Sequence, residues 1–172
     1  MDNKPILMSP SDQYQREFLE MAADYRQAGE SYSQHRLAEQ DFAAYLAQVA
    51  HDAQGIGLPA GYAPMSSFWL VKDGVIVGES RLRHYLTPAL EIEGGHIGYA
   101  IRPSERGKGY GTLILALTLE QAKMRGLQRI RVTCDTDNLA SVRVIEKNGG
   151  QLAGQAISTR TGKPIFQYWI DL

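Results

Sequence analysis

The order of hydrophobic periods along this chain predicts a mixed α/β fold of the α+β kind, a mostly antiparallel sheet with helices on its faces. Three observations carry that expectation. The first 50 residues repeat apolar side chains at helical spacing. Residues 66–85 switch to β-rich runs broken by Asp73-Gly74, a two-residue hairpin signal. From 96 to 172 the pattern reads strand, helix, strand, helix and two further strands.

Each element has a local cause. Ser11 caps a helix carrying Tyr14, Phe18, Met21, Ala22 and Tyr25 on one face, and Gly29 stops it. Phe42, Tyr45, Leu46 and Val49 mark a second helix. Residues 52–65 hold Gly55, Gly57, Pro59, Gly61 and Pro64 and read as a long loop. The hairpin strands cover 66–72 and 75–85. Pro88 and Gly94-Gly95 bracket a connection to a third strand at about 96–102. A helix follows to about Arg125, with Gly126 as its stop, and Ile130, Val132 and Cys134 alternate as the next strand. Asn138 caps a short helix bearing Val142, Val144 and Ile145, which ends at Gly149-Gly150. Strands at about 151–158 and 165–172 turn through Thr161-Gly162.

Bulk composition narrows the classes. With 172 residues the chain reads as a single domain, 1–172, with a helical portion over 1–60 and a sheet-bearing core over 66–172. A hydrophobic fraction of 44% and a charged fraction of 22% are those of an ordinary globular protein. The net charge of -1 lacks the basic excess of a general nucleic-acid or membrane binder, so neither partner is expected. Cys134 is the single cysteine, which forbids an internal disulfide and a thiolate zinc cluster, and no metal is expected. No apolar run approaches the roughly 18 residues of a membrane span, and the N-terminus lacks a signal-peptide core. The expected address is the cytoplasm, as a monomer or homodimer.

The stretch Arg106-Gly107-Lys108-Gly109-Tyr110-Gly111-Thr112 is the most informative part of the chain. It follows the apolar run 97–101 and opens the helix that begins near Leu113. A strand entering a glycine-rich turn that starts a helix leaves several backbone N–H groups aimed one way, at the positive helix end. That is a site for phosphate oxygens. It is not a Walker loop, because Lys108 is followed by Gly109 and Lys163 by Pro164. Nor is it a dinucleotide fingerprint, which needs glycine at 112. The looser match over 55–60 carries Pro59 and has no βαβ unit around it.

The motif Arg106-x-x-Gly109-x-Gly111 after a strand resembles the acyl-CoA loop of the GNAT family of N-acetyltransferases. Asp135-Thr-Asp-Asn138-x-x-Ser141, running to Glu146-Lys147-Asn148-Gly149, is similar to that family's next motif. One helix and one strand separate the two, and the resemblance spans about 66–172. It is most similar to the branch that acetylates ribosomal-protein N-termini. It implies a sheet splayed at the cofactor site and acetyl-CoA as co-substrate, bound by Tyr99, Ala100, Ile101, residues 106–112, Asn138 and Ser141. It also implies acetyl transfer to a primary amine of a small molecule or protein N-terminus. The alternative is an acyl-CoA-binding sensor without transfer, since the tyrosine that many members place seven residues after the cap asparagine is Ile145 here.

The chemistry asks for a neutral amine, a stabilised oxyanion and a proton for the departing sulfur. A lysine amine near pKa 10.4 is neutral in under about one molecule in a thousand at pH 7, while an α-amine near 7.7–8.0 is far readier. The oxyanion donor implied by the resemblance is a backbone N–H within Tyr99 to Ile101. His96, with Glu91 and Glu93 beside it, is the candidate base; for the acid, Tyr99, a water or unaided departure of the thiolate stand open. Cys134 alternates with Ile130 and Val132 and reads as a packed strand residue. Arg81, Arg83 and His84 form a basic cluster fit for an acidic acceptor or for solvent, with Trp69, Tyr85 and the 52–65 loop as a possible acceptor wall.

Overall fold

Asp73 and Gly74 both take positive φ, 48° and 81°, the backbone of the turn that matches the right-handed twist of two hairpin strands. That turn joins β2 (Met65–Lys72) to β3 (Val75–Arg83). The computed structural model describes residues 3–172. In chain order β2 is preceded by β1 (Ile6–Met8), α1 (Gln15–Gln27), α2 (Ser33–Gln40) and α3 (Phe42–Gln54). After β3 come α4 (Pro88–Ile92), β4 (Ile97–Ile101), α5 (Tyr110–Met124), β5 (Arg129–Asp135), α6 (Leu139–Lys147), β6 (Gln151–Ile157) and β7 (Pro164–Asp171).

Three elements were not legible as such. α2 carries only Leu37 and Ala38 as apolar residues, β1 has three residues, and the connection after Pro88 closes into a turn of helix capped by Thr87. Ser11 caps a short 3-10 turn at Asp12–Tyr14, which then feeds α1.

The strands form two antiparallel ladders, β1-β2-β3-β4 and β5-β7-β6. β4 and β5 meet only at their start. There His96 N donates to Arg131 O at 2.8 Å and Arg131 N donates to the His96 Nδ1 at 2.9 Å. Gly95 permits that contact: with φ at +58°, a Cβ there would lie 2.3 Å from the Arg131 carbonyl oxygen. Beyond this point no ladder joins the two edges, so the sheet splays there.

Apolar cores cover both faces of the first ladder. On one face α1, α2 and α3 bury Phe18, Met21, Tyr25, Phe42 and Tyr45 against Trp69 and Ile76. The Phe18 ring stacks on Tyr45 and Trp69 at 4.9 and 5.0 Å. On the other face α5 packs Leu115, Leu119 and Ala122 against Leu82, Ile97 and Ile130. Each Leu, Ile, Phe or Met side chain among them, fully buried, contributes about 1.5–3 kcal/mol. Register assigns the faces. Ser80 pairs with Tyr99 and Glu79 with Ala100. Ser80 bonds Thr118 of α5 at 2.7 Å. Tyr99 therefore shares the α5 side, and Glu79 points to the N-terminal helices. Among the described residues no helix is long and apolar enough to cross a membrane.

Candidate active site

Where β4 ends, the chain turns through a 3-10 segment at Pro103–Glu105 into the glycine loop. Gly109 sits at the N-cap of α5 with φ at +86°, a left-handed conformation that side chains with a Cβ rarely adopt. The first helical amide to find a carbonyl is Leu113 N, on Gly109 O at 3.3 Å. Among the described residues, none of the amides of 107–112 has an acceptor within the chain. These donors open on a cleft of about 720 Å³ between the splayed edge of β4 and the start of α6. Tyr99, Ala100 and Ile101 border it from β4; Asn138, Ser141 and Arg143 border it from α6. Asn138 Oδ1 accepts from Ser141 N at 3.1 Å, which caps α6 and fixes that wall.

Residues 6–151 of the chain match the acetyltransferase (GNAT) domain. The chain belongs to the GNAT acetyltransferase family. It is thus an acetyl-CoA-dependent N-acetyltransferase. No curated protein sequence matches it. Solved structures with the same fold include the Microcin C7 self immunity acetyltransferase MccE in complex with acetyl-CoA and AMP. It superposes with a TM-score of 0.74 at 16% identity, over 99% of this chain and 94% of that one. Mycobacterium smegmatis RimJ, in complex with CoA-disulfide, gives 0.74 at 19% identity over 96% and 80%. The ribosomal-protein-S5-alanine acetyltransferase of Vibrio fischeri gives 0.74 at 14% identity over 98% and 97%.

In this acetyltransferase the two cations of the glycine loop are engaged by carboxylates. Arg106 grips both oxygens of Glu30 at 2.7 and 2.9 Å and donates through Nε to Ile101 O at 3.1 Å. Lys108 pairs with Glu105 at 2.8 Å. The amides, rather than these side chains, are the free donors of the loop. Arg143, which borders the same cleft, has no such partner among the described residues.

The expected bases sit badly for proton transfer. Glu93 clasps the turn between β6 and β7, accepting from Ser158 Oγ at 2.6 Å and from Thr159 N, Thr159 Oγ1 and Arg160 Nε at 3.0 Å each. Those donors, Ser158 first, pull its carboxyl down to about 2, so it is a weak base with a structural task. His96 is buried, and burial followed by the Arg83 charge pulls it down to about 4. Its Nδ1 lone pair is used by the Arg131 amide. The neutral ring then carries its proton on Nε2 and has no lone pair left to accept another. His96 also lies outside the residues bordering the cleft. Alternation is the reason: no bulge interrupts β4, so His96 cannot share a face with Tyr99. Glu91 is exposed on α4.

Tyr99 does reach the cleft. Its hydroxyl is buried without a partner of ordinary hydrogen-bond geometry, and burial pushes it up to about 12, with Ser141 pulling the other way. Ile145 is fully buried, so no acid occupies that place. Cys134 packs partly buried beside the α5 core, its thiol pushed up to about 11 chiefly by burial. The basic cluster at the end of β3 divides: Arg83 bonds the carbonyls of Gly94 and Gly95, His84 bonds Ser66, Tyr85 is exposed, and Arg81 lines a separate pocket without a hydrogen bond or ion pair among the described residues.

Sequence reasoning missed one buried polar pair. Glu79 is buried at 7% exposure and accepts from His35 Nε2 at 3.0 Å, under α2. A signal was available: a carboxylate inside the apolar strand run 75–82 is unusual unless it is partnered.

Proposed function

We propose that this acetyltransferase moves the acetyl group of acetyl-CoA to a primary amine, on a small molecule or a protein N-terminus, by direct attack on the thioester. The observation that carries this reading is the set of unpartnered amides at 107–112, opening on a cleft that continues along the unpaired edge of β4. The residues present fit acetyl-CoA. The amides of 107–112 would hold its phosphates, with Arg143 and Lys147 as nearby cations. The β4 edge would pair its amide-bearing arm as an added strand, near Asn138 and Ser141. When bound, acetyl-CoA supplies an acyl group already activated for transfer.

An N–H within Tyr99 to Ile101 would receive the carbonyl oxygen as negative charge develops there. The amine nitrogen forms its bond to the carbonyl carbon as the carbon–sulfur bond breaks, and the proton lost by nitrogen ends on sulfur. Tyr99 would keep its proton and steady the departing sulfur with a hydrogen bond from its O–H. The family match runs from β1 through α6, taking in the N-terminal helices together with the glycine loop, which supports reading 1–172 as one acetyltransferase domain. The acceptor named for the Vibrio fischeri relative is an alanine of a ribosomal protein, so protein N-termini belong in the amine panel. The test is thiol release from acetyl-CoA with that panel. Tight binding with no thiol released by any amine would make the chain an acyl-CoA sensor.

A further inference from the structure

A second pocket, of about 310 Å³, lies on the opposite face of β3 from α5, between the hairpin and the helices α2 and α3. It adjoins the cofactor cleft through one short segment: Tyr32 borders the cleft, while Ser33 and Gln34 border this pocket. Glu79 lines it, and Glu79 is the register partner of Ala100, which borders the cofactor cleft. The two spaces therefore flank the same point of the sheet.

The polar groups of this pocket are built for a ligand. His35 Nε2 and Gln34 Nε2 both meet Glu79 at Oε1, at 3.0 and 3.3 Å. That fixes the carboxylate and leaves Oε2 with no hydrogen bond among the described residues, on the side open to the pocket. That oxygen is free to accept from a cationic group entering the pocket. Arg81 lines the pocket two residues further along the same strand face, and it makes neither a hydrogen bond nor an ion pair among the described residues. Two residues of strand separate their Cα atoms by roughly 6.5–7 Å, so the two side chains converge on a ligand carrying both charges a few bonds apart. The remaining wall is apolar, with Trp69, Leu37 and Val49. The volume sits at the lower end of small-ligand sites, about 300–1,000 Å³, which suits one amino acid better than a length of polypeptide.

We propose that this pocket holds the acceptor and that the acceptor is a small apolar α-amino carboxylate, with its ammonium on Glu79 Oε2 and its carboxylate on Arg81. A simple alkylamine leaves Arg81 unanswered, and a polyamine meets its charge. This assignment rests on the transferase reading above. Glu79 takes the ammonium's extra proton, leaving the neutral amine that forms the new bond; the carbon–sulfur bond breaks and the nitrogen's second proton ends on sulfur.

The test compares apolar amino acids with their amides, their decarboxylated amines and short peptides in the thiol-release assay. The expected result is a preference for the amino acid of about tenfold or more in kcat/KM over its amide and its decarboxylated amine. Arg81→Gln should erase that preference by raising the KM of the amino acid alone. Glu79→Gln should lower kcat/KM for every amine, and both variants should keep their affinity for acetyl-CoA by calorimetry. Arg81 is only partly buried, so its variant remains informative if Glu79→Gln misfolds. Equal use of amine, amide and acid, a preference for peptides, or an unchanged preference in Arg81→Gln would overturn the assignment. If no amine releases thiol, calorimetric titration of the same amino acids into the acetyl-CoA complex separates the two readings. Binding that Arg81→Gln abolishes supports the pocket without the transfer, and no binding overturns the pocket.

Discussion

Replacing Tyr99 by Phe removes one oxygen atom and separates stability from catalysis. The hydroxyl is buried with no partner of ordinary geometry. An unmet buried polar group costs about 1–3 kcal/mol, so its removal should leave the melting temperature unchanged or raise it. Burial pushes Tyr99 up to about 12, so it stays protonated across the working range and serves as a hydrogen-bond donor. A thiol has a pKa near 8.5, so full proton transfer from such a phenol to a thiolate would run uphill by about 4–5 kcal/mol. Donation to the developing charge is the cheaper course. A hydrogen bond to a charged group is worth about 1.5–3 kcal/mol, which corresponds to a fall in kcat of roughly 10- to 100-fold. The assay is thiol release at saturating amine, with acetyl-CoA affinity measured separately and expected to hold. A kcat within twofold of the parent, or a clear drop in melting temperature, would refute the reasoning.

Three further outcomes follow from the same geometry. Gly109→Val forces a β-branched residue to φ +86°, at a cost of about 1–2 kcal/mol or more, and should cut acetyl-CoA affinity severely with the fold intact; retained affinity by calorimetry counts against the loop. His96 is held near 4 in the folded protein, so the unfolded chain takes up a proton first as pH falls. Stability should decline by about 3 kcal/mol between roughly pH 6.5 and 4, a slope that His96→Gln abolishes in urea titrations. Turnover in that variant should stay near the parent's, and a hundredfold loss with the fold intact would reinstate His96 as the base. Glu93 is held near 2, so its contribution of up to about 3 kcal/mol is full above roughly pH 4.5 and lost as pH falls toward 2. Glu93→Gln should therefore be destabilised at pH 7 and flat across that lower window.

What could be read from the sequence was what neighbours along the chain decide. The stripe Phe18, Met21, Ala22, Tyr25, the Asp73-Gly74 turn and the Asn138 cap are each fixed within a few residues, and each forms as read. What the sequence did not show depends on distant partners. Glu93 looked like a free carboxylate because Ser158 and Arg160 arrive from 65 and 67 residues away. Arg106 looked like a phosphate ligand, yet Glu30, 76 residues earlier, holds its guanidinium. The split into two ladders is likewise invisible locally, because it depends on Gly95 letting β4 touch β5 at one end and no further.

The Arg106–Glu30 pair also changes what the first 60 residues are for. Glu30 lies between α1 and α2, and Arg102 ties α1 itself to the end of β4 through Glu17 and Asp24, both at 2.5 Å. The helices that wall the second pocket are thus bolted to the strand and loop that wall the first. A side chain is rarely held by two half-buried carboxylates without positional consequence, since breaking such a set strands the remaining charges. Loosening α1 should therefore disturb the glycine loop as well as the pocket beneath α2, and the N-terminal helices belong to the site as much as the motif that reveals it.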